Sequence, residues 1–264
     1  MPEPSARVSS EQPWVEIVPG GAVDGAIRPP GSKSLTNRAL ICAAMARGAS
    51  RLHGVLDSED TEVMVAALRS IGVKIERQES GQTLLIEPPT EAKQAGSDRG
   101  AGEAELFIAN SGTSIRFLAA ALSALGGRYR LRGVPRMHQR PIGDLVDAIG
   151  EVMEGEIRTE SEGGCPPVWI DSRGWKGHEL QVAGSVSSQF LSGLMMAAPI
   201  ASSDGDSAAT CIAVAGELVS RPYVEMTARV MRSFGASVDL LAGDAASGLS
   251  VVVGSDSYRG TDYT

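Results

Sequence analysis

Three segments of the chain are apolar around almost the whole helical turn, and each follows a short polar loop. They read "GSKSLTNRALICAAMA", "NSGTSIRFLAAALSAL" and "GSVSSQFLSGLMMAAPIA". A helix without a polar face has to be buried on all sides. The pattern therefore predicts three buried helices whose polar loops lie at their N-terminal ends.

The same series of elements follows each of these helices. A β-like segment comes first ("SRLHGVL", "GRYRLRGV", "ATCIAVAGEL"), and an amphipathic helix comes next ("DTEVMVAALRSIG", "PIGDLVDAIGEVM", "PYVEMTARVMRSFG"). Two further β-like pieces close each copy, and the series repeats after about eighty residues. Such a period indicates triplication of a small unit rather than a stacked array. We predict an α/β (α+β) fold with pseudo-threefold symmetry, made of three β-α-β-α-β-β units with buried parallel helices.

The repeat sets the expected domain boundaries. One domain is expected over residues 25–257, with three units at about residues 25–90, 104–172 and 178–257. "PWVEIVPGG", within residues 13–24, predicts a strand outside the triplication that belongs to a second, missing domain. Residues 1–12 have no apolar core and are expected to form a disordered leader rather than a signal peptide. The polar residues 258–264 are expected to be a linker to the second domain.

Composition and charge narrow the classes of function. The 264 residues are 42% hydrophobic but only 4% aromatic, so the core has to be aliphatic. The net charge of −8 argues against non-specific binding to nucleic acid or to an anionic membrane. Three separate cysteines without a CxxC pair favour a reducing cytoplasm over a disulfide framework or a zinc site. The apolar stretches are too short to cross a bilayer.

The starts of the three buried helices carry the candidate chemistry. A helix start offers unpaired N–H groups and a partial positive charge, which together attract anions. Hydroxyl groups at these starts are candidate donors, and they belong to Ser32, Ser34, Thr36, Ser111, Thr113, Ser187 and Ser188. Gly31, Gly112 and Gly184 are candidates for close approach of a ligand to the backbone.

Basic side chains lie near the same helix starts. Lys33 and Arg38 belong to the first loop and helix, and Arg38 is expected to hold a phosphate or carboxylate through two parallel bonds. Arg116, Arg136 and Arg140 lie near the loops of the second unit. In an acidic chain this basic grouping predicts a local site for an anionic small molecule.

Ordinary structural roles compete with these assignments. Serine and threonine at a helix start are usually caps. Asp57, Glu59 and Asp60 are interpreted as the N-cap and first turn of an outer helix, and the pair Met195–Met196 as core filling. The chain has no GxxxxGK[ST] and no GxGxxG after a strand, so neither a nucleoside triphosphate site nor a dinucleotide site is indicated. No ligand spacing relates the three histidines, which are His53, His138 and His178.

The segments at these helix starts resemble the enolpyruvyl transferase family, and within it the branch that acts on shikimate 3-phosphate. The matching pieces run in the family's order from about residue 28 to residue 234: "PGSKSLTNRAL", "LDSEDTEVMVAALRSIG", "NSGTSIRFLAAAL", "GVPRMHQRPIGDLVDAI", "GSVSSQFLSGLMMAAP" and "LVSRPYVEMT". The resemblance implies two similar domains whose helix starts face each other across a cleft. It also implies transfer of the enolpyruvyl group of phosphoenolpyruvate to the 5-hydroxyl of shikimate 3-phosphate, through a tetrahedral adduct and with no metal or organic cofactor.

The resemblance also implies roles for particular residues. Shikimate 3-phosphate would be held by Lys33, Ser34, Arg38, Ser187, Ser188, Gln189, Ser220 and Tyr223. The phosphoenolpyruvate side would be formed by Asn110, Gly112 and Arg140, and Thr113 is counted among the substrate-binding residues. Lys33 would touch both substrates, and it is the candidate catalytic proton donor.

The sequence also departs from the family's pattern. Phe117 follows Arg116 where a smaller residue or proline is expected. The acid–base carboxylates of the family would belong to the second domain, so this chain is expected to bind shikimate 3-phosphate without turnover.

Two alternatives stay open. A UDP-N-acetylglucosamine enolpyruvyl transferase would have asparagine in place of Ser34 and a cysteine in the loop that reads "PRMHQRP" here. An anion-binding module without catalysis would retain the same binding residues.

Overall fold

The structure is a computed structural model. The residues that it describes are 14, 15, 18, 20–22, 24–27, 29–78, 81–89, 103–183, 187–201, 208–242 and 247–264. The predicted leader over residues 1–12 and the candidate Gly184 lie outside the described residues. No helix within these ranges is long and apolar enough to span a membrane.

The second and third units form four-stranded sheets with the same strand order. The strands of the second unit are β4 (Ala104–Phe107), β5 (Gly127–Arg132), β6 (Met153–Ser161) and β7 (Cys165–Trp175). Those of the third unit are β8 (Glu179–Ala183), β9 (Thr210–Ala215), β10 (Val238–Ala242) and β11 (Ser247–Val253). The orders are β4-β5-β7-β6 and β8-β9-β11-β10, in which the first two strands run parallel and the other neighbours antiparallel. The predicted β-α-β-α-β-β unit is confirmed in both.

The first unit obtains its fourth strand from the other end of the chain. Its own strands are β1 (Ser50–His53), β2 (Lys74–Gln78) and β3 (Thr83–Glu87), and β12 (Asp262–Tyr263) completes the order β12-β1-β3-β2. The strand β12 runs parallel to β1, as β4 does to β5, so it occupies the sheet position that β4 has in the second unit. Part of the segment predicted as a linker, residues 258–264, thus forms a strand that pairs with β1 and completes the sheet.

Tyr258 anchors this last segment to the core. Its side chain is 1% exposed, and its hydroxyl donates to the carbonyl of Met196 at 3.0 Å. We expect Tyr258→Ala to lower the free energy of unfolding by about 3–5 kcal/mol through the cavity that it leaves. Tyr258→Phe should lower it by about 1 kcal/mol through the lost hydrogen bond. Urea unfolding measures both, and a loss below about 1 kcal/mol for Tyr258→Ala would show that the segment is not anchored.

The segment over residues 13–24 was predicted as a strand, and its described residues form none. Those residues are 14, 15, 18, 20–22 and 24. The apolar side chains of Trp14, Val15 and Val18 are 58%, 73% and 78% exposed. A strand needs a partner to satisfy its backbone N–H and C=O groups, and no described strand pairs with this segment.

Six α-helices divide into an inner and an outer set within the described ranges. The inner helices are α1 (Lys33–Ala44), α3 (Gly112–Leu125) and α5 (Ser188–Ala201). The outer helices are α2 (Glu59–Ser70), α4 (Gly143–Val152) and α6 (Arg221–Ser233). Beyond its first turn α1 is buried at every position, and α3 and α5 are buried almost throughout. The outer helices bury one face each, as the amphipathic pattern predicts.

Small side chains bring the inner helices close together. A methyl group added at Gly193 of α5 would lie 3.2 Å from the carbonyl oxygen of Arg116 on α3. Met195 and Met196 are fully buried on the same helix, so their interpretation as core filling is confirmed. The close parallel packing places the N-terminal turns of the inner helices at one end of the domain.

Candidate functional site

One cleft of about 530 Å³ opens where the first turns of the three inner helices meet. Its lining residues are Lys33, Ser34, Arg38, Asp60, Asn110, Gly112, Thr113, Arg116, Arg140, Ser187, Ser188, Gln189, Ser220 and Tyr223. All twelve residues to which the resemblance assigns a role are among them. The other two lining residues are Arg116, a basic candidate of the sequence analysis, and Asp60, which was interpreted as structural.

Several of the candidate hydroxyl groups serve the helices themselves. Ser32 caps α1 by accepting from the N–H of Leu35 at 3.4 Å, and Ser111 caps α3 by accepting from the N–H of Ser114 at 3.3 Å. Thr36 is buried and accepts from a backbone N–H of the loop after β1. The capping interpretation is therefore right for Ser32 and Ser111, and none of the three hydroxyls lines the cleft.

Lys33 and Asp60 form an ion pair at the edge of the cleft. The Lys33 Nζ lies 3.0 Å from the Asp60 Oδ2, with side chains 48% and 28% exposed. Partial burial opposes ionisation of Asp60, but hydrogen bonds from Ser111 and Lys33 and the charges of Lys33 and Arg140 outweigh it and lower the pKa. The carboxylate therefore stays ionised at neutral pH.

The helix that carries Asp60 starts differently from the prediction. The N-cap of α2 is Ser58, which forms a capping box with Thr61, and Asp57 precedes the cap. The prediction of an acidic N-cap is therefore wrong, whereas Glu59 and Asp60 do lie in the first turn as expected. The sequence gives no signal that separates Asp60, which faces the cleft, from its exposed neighbour Glu59.

Arg38 forms part of the floor of the cleft, and its guanidinium is occupied by the protein. The side chain is 2% exposed. Its Nε, Nη1 and Nη2 donate to the Thr227 Oγ1 at 2.7 Å, the Ser34 carbonyl at 2.9 Å and the Ser192 Oγ at 3.3 Å. Burial lowers its pKa to about 10. Three of the five N–H groups of the guanidinium are therefore used within the protein.

Two aromatic rings enclose the same guanidinium. Its Cζ lies 5.2 Å from the ring centroid of Phe117 and 5.9 Å from that of Tyr223. Phe117, the residue that departs from the family's pattern, is fully buried and does not line the cleft. Its effect is therefore to pack against Arg38 from α3.

Arg116 links the first turns of α3 and α5. Its Nη1 donates to the Gln189 Oε1 at 2.5 Å, and the Gln189 Nε2 donates to the Thr113 Oγ1 at 3.2 Å. Its guanidinium also lies over the ring of Phe190, 5.2 Å from the centroid. Burial, and then the charge of Arg140, lower the pKa of Arg116 to about 10. This network fixes the amide of Gln189 at the cleft.

Arg140 reaches the cleft, and Arg136 does not. The Arg140 Nη1 donates to the Asn110 carbonyl at 3.0 Å, next to the start of α3. Arg136 is exposed at the start of the short 3-10 helix Met137–Gln139 and is not a lining residue. Proximity in sequence was therefore a poor guide for Arg136.

Glycines hold two backbone segments close to their neighbours. A methyl group on Gly112 would lie 2.5 Å from the Arg140 Cζ, so this position leaves room for that arginine. A methyl group on Gly31 would lie 2.1 Å from the carbonyl oxygen of Gly54. Gly31 therefore allows the loop before α1 to pack against the loop after β1, rather than allowing a ligand to approach as predicted.

The lining is chemically suited to an anionic, hydroxylated small molecule. Four cationic side chains face one carboxylate among the described lining residues, and hydroxyl and amide groups surround them. Nowhere in the described part of the chain do three or more His, Cys, Asp or Glu side chains cluster as a metal site would require. Helix starts, cations and hydroxyls together can bind a phosphate ester through charge-assisted hydrogen bonds.

The family model, the curated relatives and the solved structures that this chain matches point to the same family. Residues 17–253 match the family model of EPSP synthase (3-phosphoshikimate 1-carboxyvinyltransferase). A 3-phosphoshikimate 1-carboxyvinyltransferase of Herminiimonas arsenicoxydans is 43% identical over 225 residues, which are 85% of this chain and 49% of that protein. The protein of the same name from Bordetella pertussis is 46% identical over 219 residues, 81% of this chain and 46% of its own length. The chain thus spans about half the length of these curated relatives.

Solved structures share the fold. An EPSP synthase from Acinetobacter baumannii superimposes with a TM-score of 0.70 at 26% identity, over 90% of this chain and 48% of that one. The enolpyruvyl transferase NikO from Streptomyces tendae gives a TM-score of 0.58 at 18% identity, over 93% of this chain and 52% of its own, which is a likeness of fold alone. The enolpyruvyl transferase-like fold expected from the sequence is therefore confirmed.

Proposed function

The chain belongs to the EPSP synthase family, and from this we propose that its cleft binds shikimate 3-phosphate and phosphoenolpyruvate for transfer of the enolpyruvyl group. The observation that supports this most strongly is the single cleft lined by all twelve residues to which the resemblance assigns a role. These residues come from five separate places in the sequence, and the packing of the inner helices brings them together.

The α5 side of the cleft suits shikimate 3-phosphate. Ser187, Ser188 and Gln189 lie at the start of α5, where free N–H groups and the helix dipole favour a phosphate. Ser220 and Tyr223 at the start of α6 complete a surface for ring hydroxyls. Arg38 contributes indirectly, because it binds the carbonyl of Ser34 and stacks on Tyr223.

The α3 side suits phosphoenolpyruvate. Gly112 and Thr113 open the first turn of α3, and Arg140 and Asn110 flank it. Lys33 lies in the same cleft, at the start of α1, where its charge can reach both ligands. In the transfer, the 5-hydroxyl oxygen bonds to C2 of phosphoenolpyruvate while C3 gains a proton. The adduct then loses phosphate and a proton from C3, which restores the double bond.

The described lining of this cleft offers few groups that could transfer protons in the reaction. Asp60 is its one carboxylate among the described residues, and it is paired with Lys33. The reaction needs a base for the 5-hydroxyl and an acid for C3, and Lys33 can serve as the acid at most. We therefore propose that this chain alone binds without turnover.

Calorimetry together with a phosphate-release assay tests this function. We expect the chain to bind shikimate 3-phosphate, to bind shikimate without its phosphate at least about tenfold more weakly, and to release no phosphate from phosphoenolpyruvate. Equal affinity for shikimate and shikimate 3-phosphate would contradict the phosphate site. Sustained phosphate release would contradict the placement of the acid and base outside the described lining.

Gly112→Ala is expected to weaken phosphoenolpyruvate binding in the presence of shikimate 3-phosphate by about tenfold, because the new methyl group displaces the Arg140 guanidinium. Affinity for shikimate 3-phosphate itself should change less than about twofold, because its side of the cleft is not disturbed. Gly150→Ala on α4 is the matched control, since a methyl group there would make an ordinary contact at 3.9 Å. Calorimetric titration measures each, and unchanged phosphoenolpyruvate affinity in Gly112→Ala would contradict the role of Arg140.

A further inference from the structure

A carboxylate in a cleft built for anions has no role in the binding scheme described above. Asp60 lines the cleft together with Lys33, Arg38, Arg116 and Arg140. Its negative charge opposes any phosphate or carboxylate that enters, because like charges at short range repel. Its presence therefore has to be explained by what it does to its neighbours.

Asp60 connects the starts of three helices. It is the second residue of α2, and its Oδ2 accepts from the Lys33 Nζ at 3.0 Å at the start of α1. Its backbone carbonyl accepts from the Ser114 Oγ at 3.4 Å, and that hydroxyl lies 2.7 Å from the Oγ of the α3 cap Ser111. Asp60 thus ties the lysine of α1 to the start of α3, the side of the cleft proposed for phosphoenolpyruvate.

Without this ion pair, none of the described contacts would fix the position of the Lys33 ammonium group. The Lys33 side chain is 48% exposed and flexible, and Asp60 is the one partner for its Nζ among the described contacts. An ion pair at this exposure contributes little to folding stability, so stability is a weak explanation for it. Holding the ammonium group in one place before a ligand arrives reduces the ordering entropy of binding.

We infer that Asp60 is a positioning and selectivity residue, which fixes Lys33 between the two halves of the cleft and rejects simple anions. A small anion such as inorganic phosphate can be bound by Lys33 in many positions, so for it Asp60 brings repulsion alone. A ligand with its phosphate at the start of α5 and its ring hydroxyls near Lys33 gains from a fixed lysine, which offsets the repulsion. This inference rests on the proposed function.

A structural role for Asp60 predicts something different. Glu59, Asp60 and Glu62 are the acidic residues in the first turn of α2, where negative charge stabilises the helix dipole. If Asp60 did only this, removing its charge would resemble removing that of Glu59. Glu59 is exposed and does not line the cleft, so Glu59→Gln is a matched control one residue away.

The test compares two ligands in four forms of the chain. Calorimetric titrations at low ionic strength compare the wild type with Asp60→Asn, Asp60→Glu and Glu59→Gln. The two ligands are inorganic phosphate and shikimate 3-phosphate. We expect Asp60→Asn to bind phosphate about 3- to 10-fold more tightly and shikimate 3-phosphate no more tightly than wild type, so the preference for the ester falls by the same factor. Asp60→Glu keeps the charge and should restore most of that preference. Glu59→Gln should change neither affinity.

Three results would overturn the inference. If Asp60→Asn changed the affinity for both ligands equally, Asp60 would act only as a background charge and would not position Lys33. If neither affinity changed, Asp60 would only stabilise the first turn of α2. A wild-type chain that binds phosphate but not shikimate 3-phosphate would contradict the proposed function and the inference together. The first two results leave the proposed function intact, so the two failures can be told apart.

Discussion

Lys33→Met is expected to weaken binding of shikimate 3-phosphate by about 100-fold without unfolding the chain. The substitution removes a charge-assisted hydrogen bond worth about 1.5–3 kcal/mol. It also leaves the Asp60 carboxylate unpaired in the cleft, where it repels the phosphate. Methionine keeps most of the unbranched stem of lysine, so the packing at the start of α1 is preserved.

Two further variants make the result specific, with affinities measured by calorimetry. Lys74→Met on β2 removes an exposed lysine that also pairs with a carboxylate, Glu87 at 3.4 Å, and it should leave affinity unchanged. The double variant Lys33→Met/Asp60→Asn should recover part of the lost affinity, because the repelling carboxylate is gone. Binding by Lys33→Met within about twofold of wild type would contradict a direct contact between Lys33 and the ligand.

Arg38→Met is expected to lower the free energy of unfolding by about 3 kcal/mol. The guanidinium joins α1 to Thr227 on α6 and Ser192 on α5, and it stacks on Phe117 of α3. Methionine fills part of the space but leaves those polar groups with fewer partners. Arg38→Lys should restore only part of the loss, because an ammonium group cannot reproduce the planar fork.

Urea unfolding distinguishes this structural role from a ligand-binding role. Arg221→Met is the control, because Arg221 is exposed on α6, makes an i,i+4 pair with Glu225 and should contribute no more than about 0.5 kcal/mol. An Arg38→Met chain as stable as wild type, with shikimate 3-phosphate binding abolished, would contradict the interpretation. It would assign the guanidinium to the ligand instead of to the helices.

The architecture could be predicted to a large extent because it is encoded locally. The all-round apolar pattern of α1, α3 and α5 and the single polar face of the outer helices are properties of short windows. The repeat of polar, glycine-containing helix starts predicted a shared anion site, whereas the roles of the individual lining residues came from the family resemblance. Units with the same order of helices and strands pack alike, so their equivalent helix starts meet in one cleft.

What could not be predicted depends on contacts between distant parts of the chain. The strand β12 is two residues long, lies in the polar "SYRGTDYT" and forms because the first sheet lacks a strand at that edge. Neither alternation nor propensity marks such a strand. Trp14, Val15 and Val18 show the converse, because an apolar sequence without a partner forms no strand in the described residues.

Within the site, residues of similar charge differ in burial and orientation, and the sequence alone does not show these differences. Arg38 lies further into α1 than Lys33, so helices surround it and three of its N–H groups bind other parts of the chain. Asp60 and Glu59 differ only in which side of the α2 start they face, which depends on how α2 meets α1. Residue type therefore identified the chemistry of the cleft, and packing decided which side chains carry it.

An amide-detected NMR titration of the chain with shikimate 3-phosphate tests most directly whether three inward helices present their N-terminal ends to one binding cleft. The amides of Ser34, Thr113 and Gln189 are expected to shift together along one binding curve, while those on the outer faces of the sheets stay unchanged. Shifts confined to a single helix start, or centred on residues away from the cleft, would contradict a shared site.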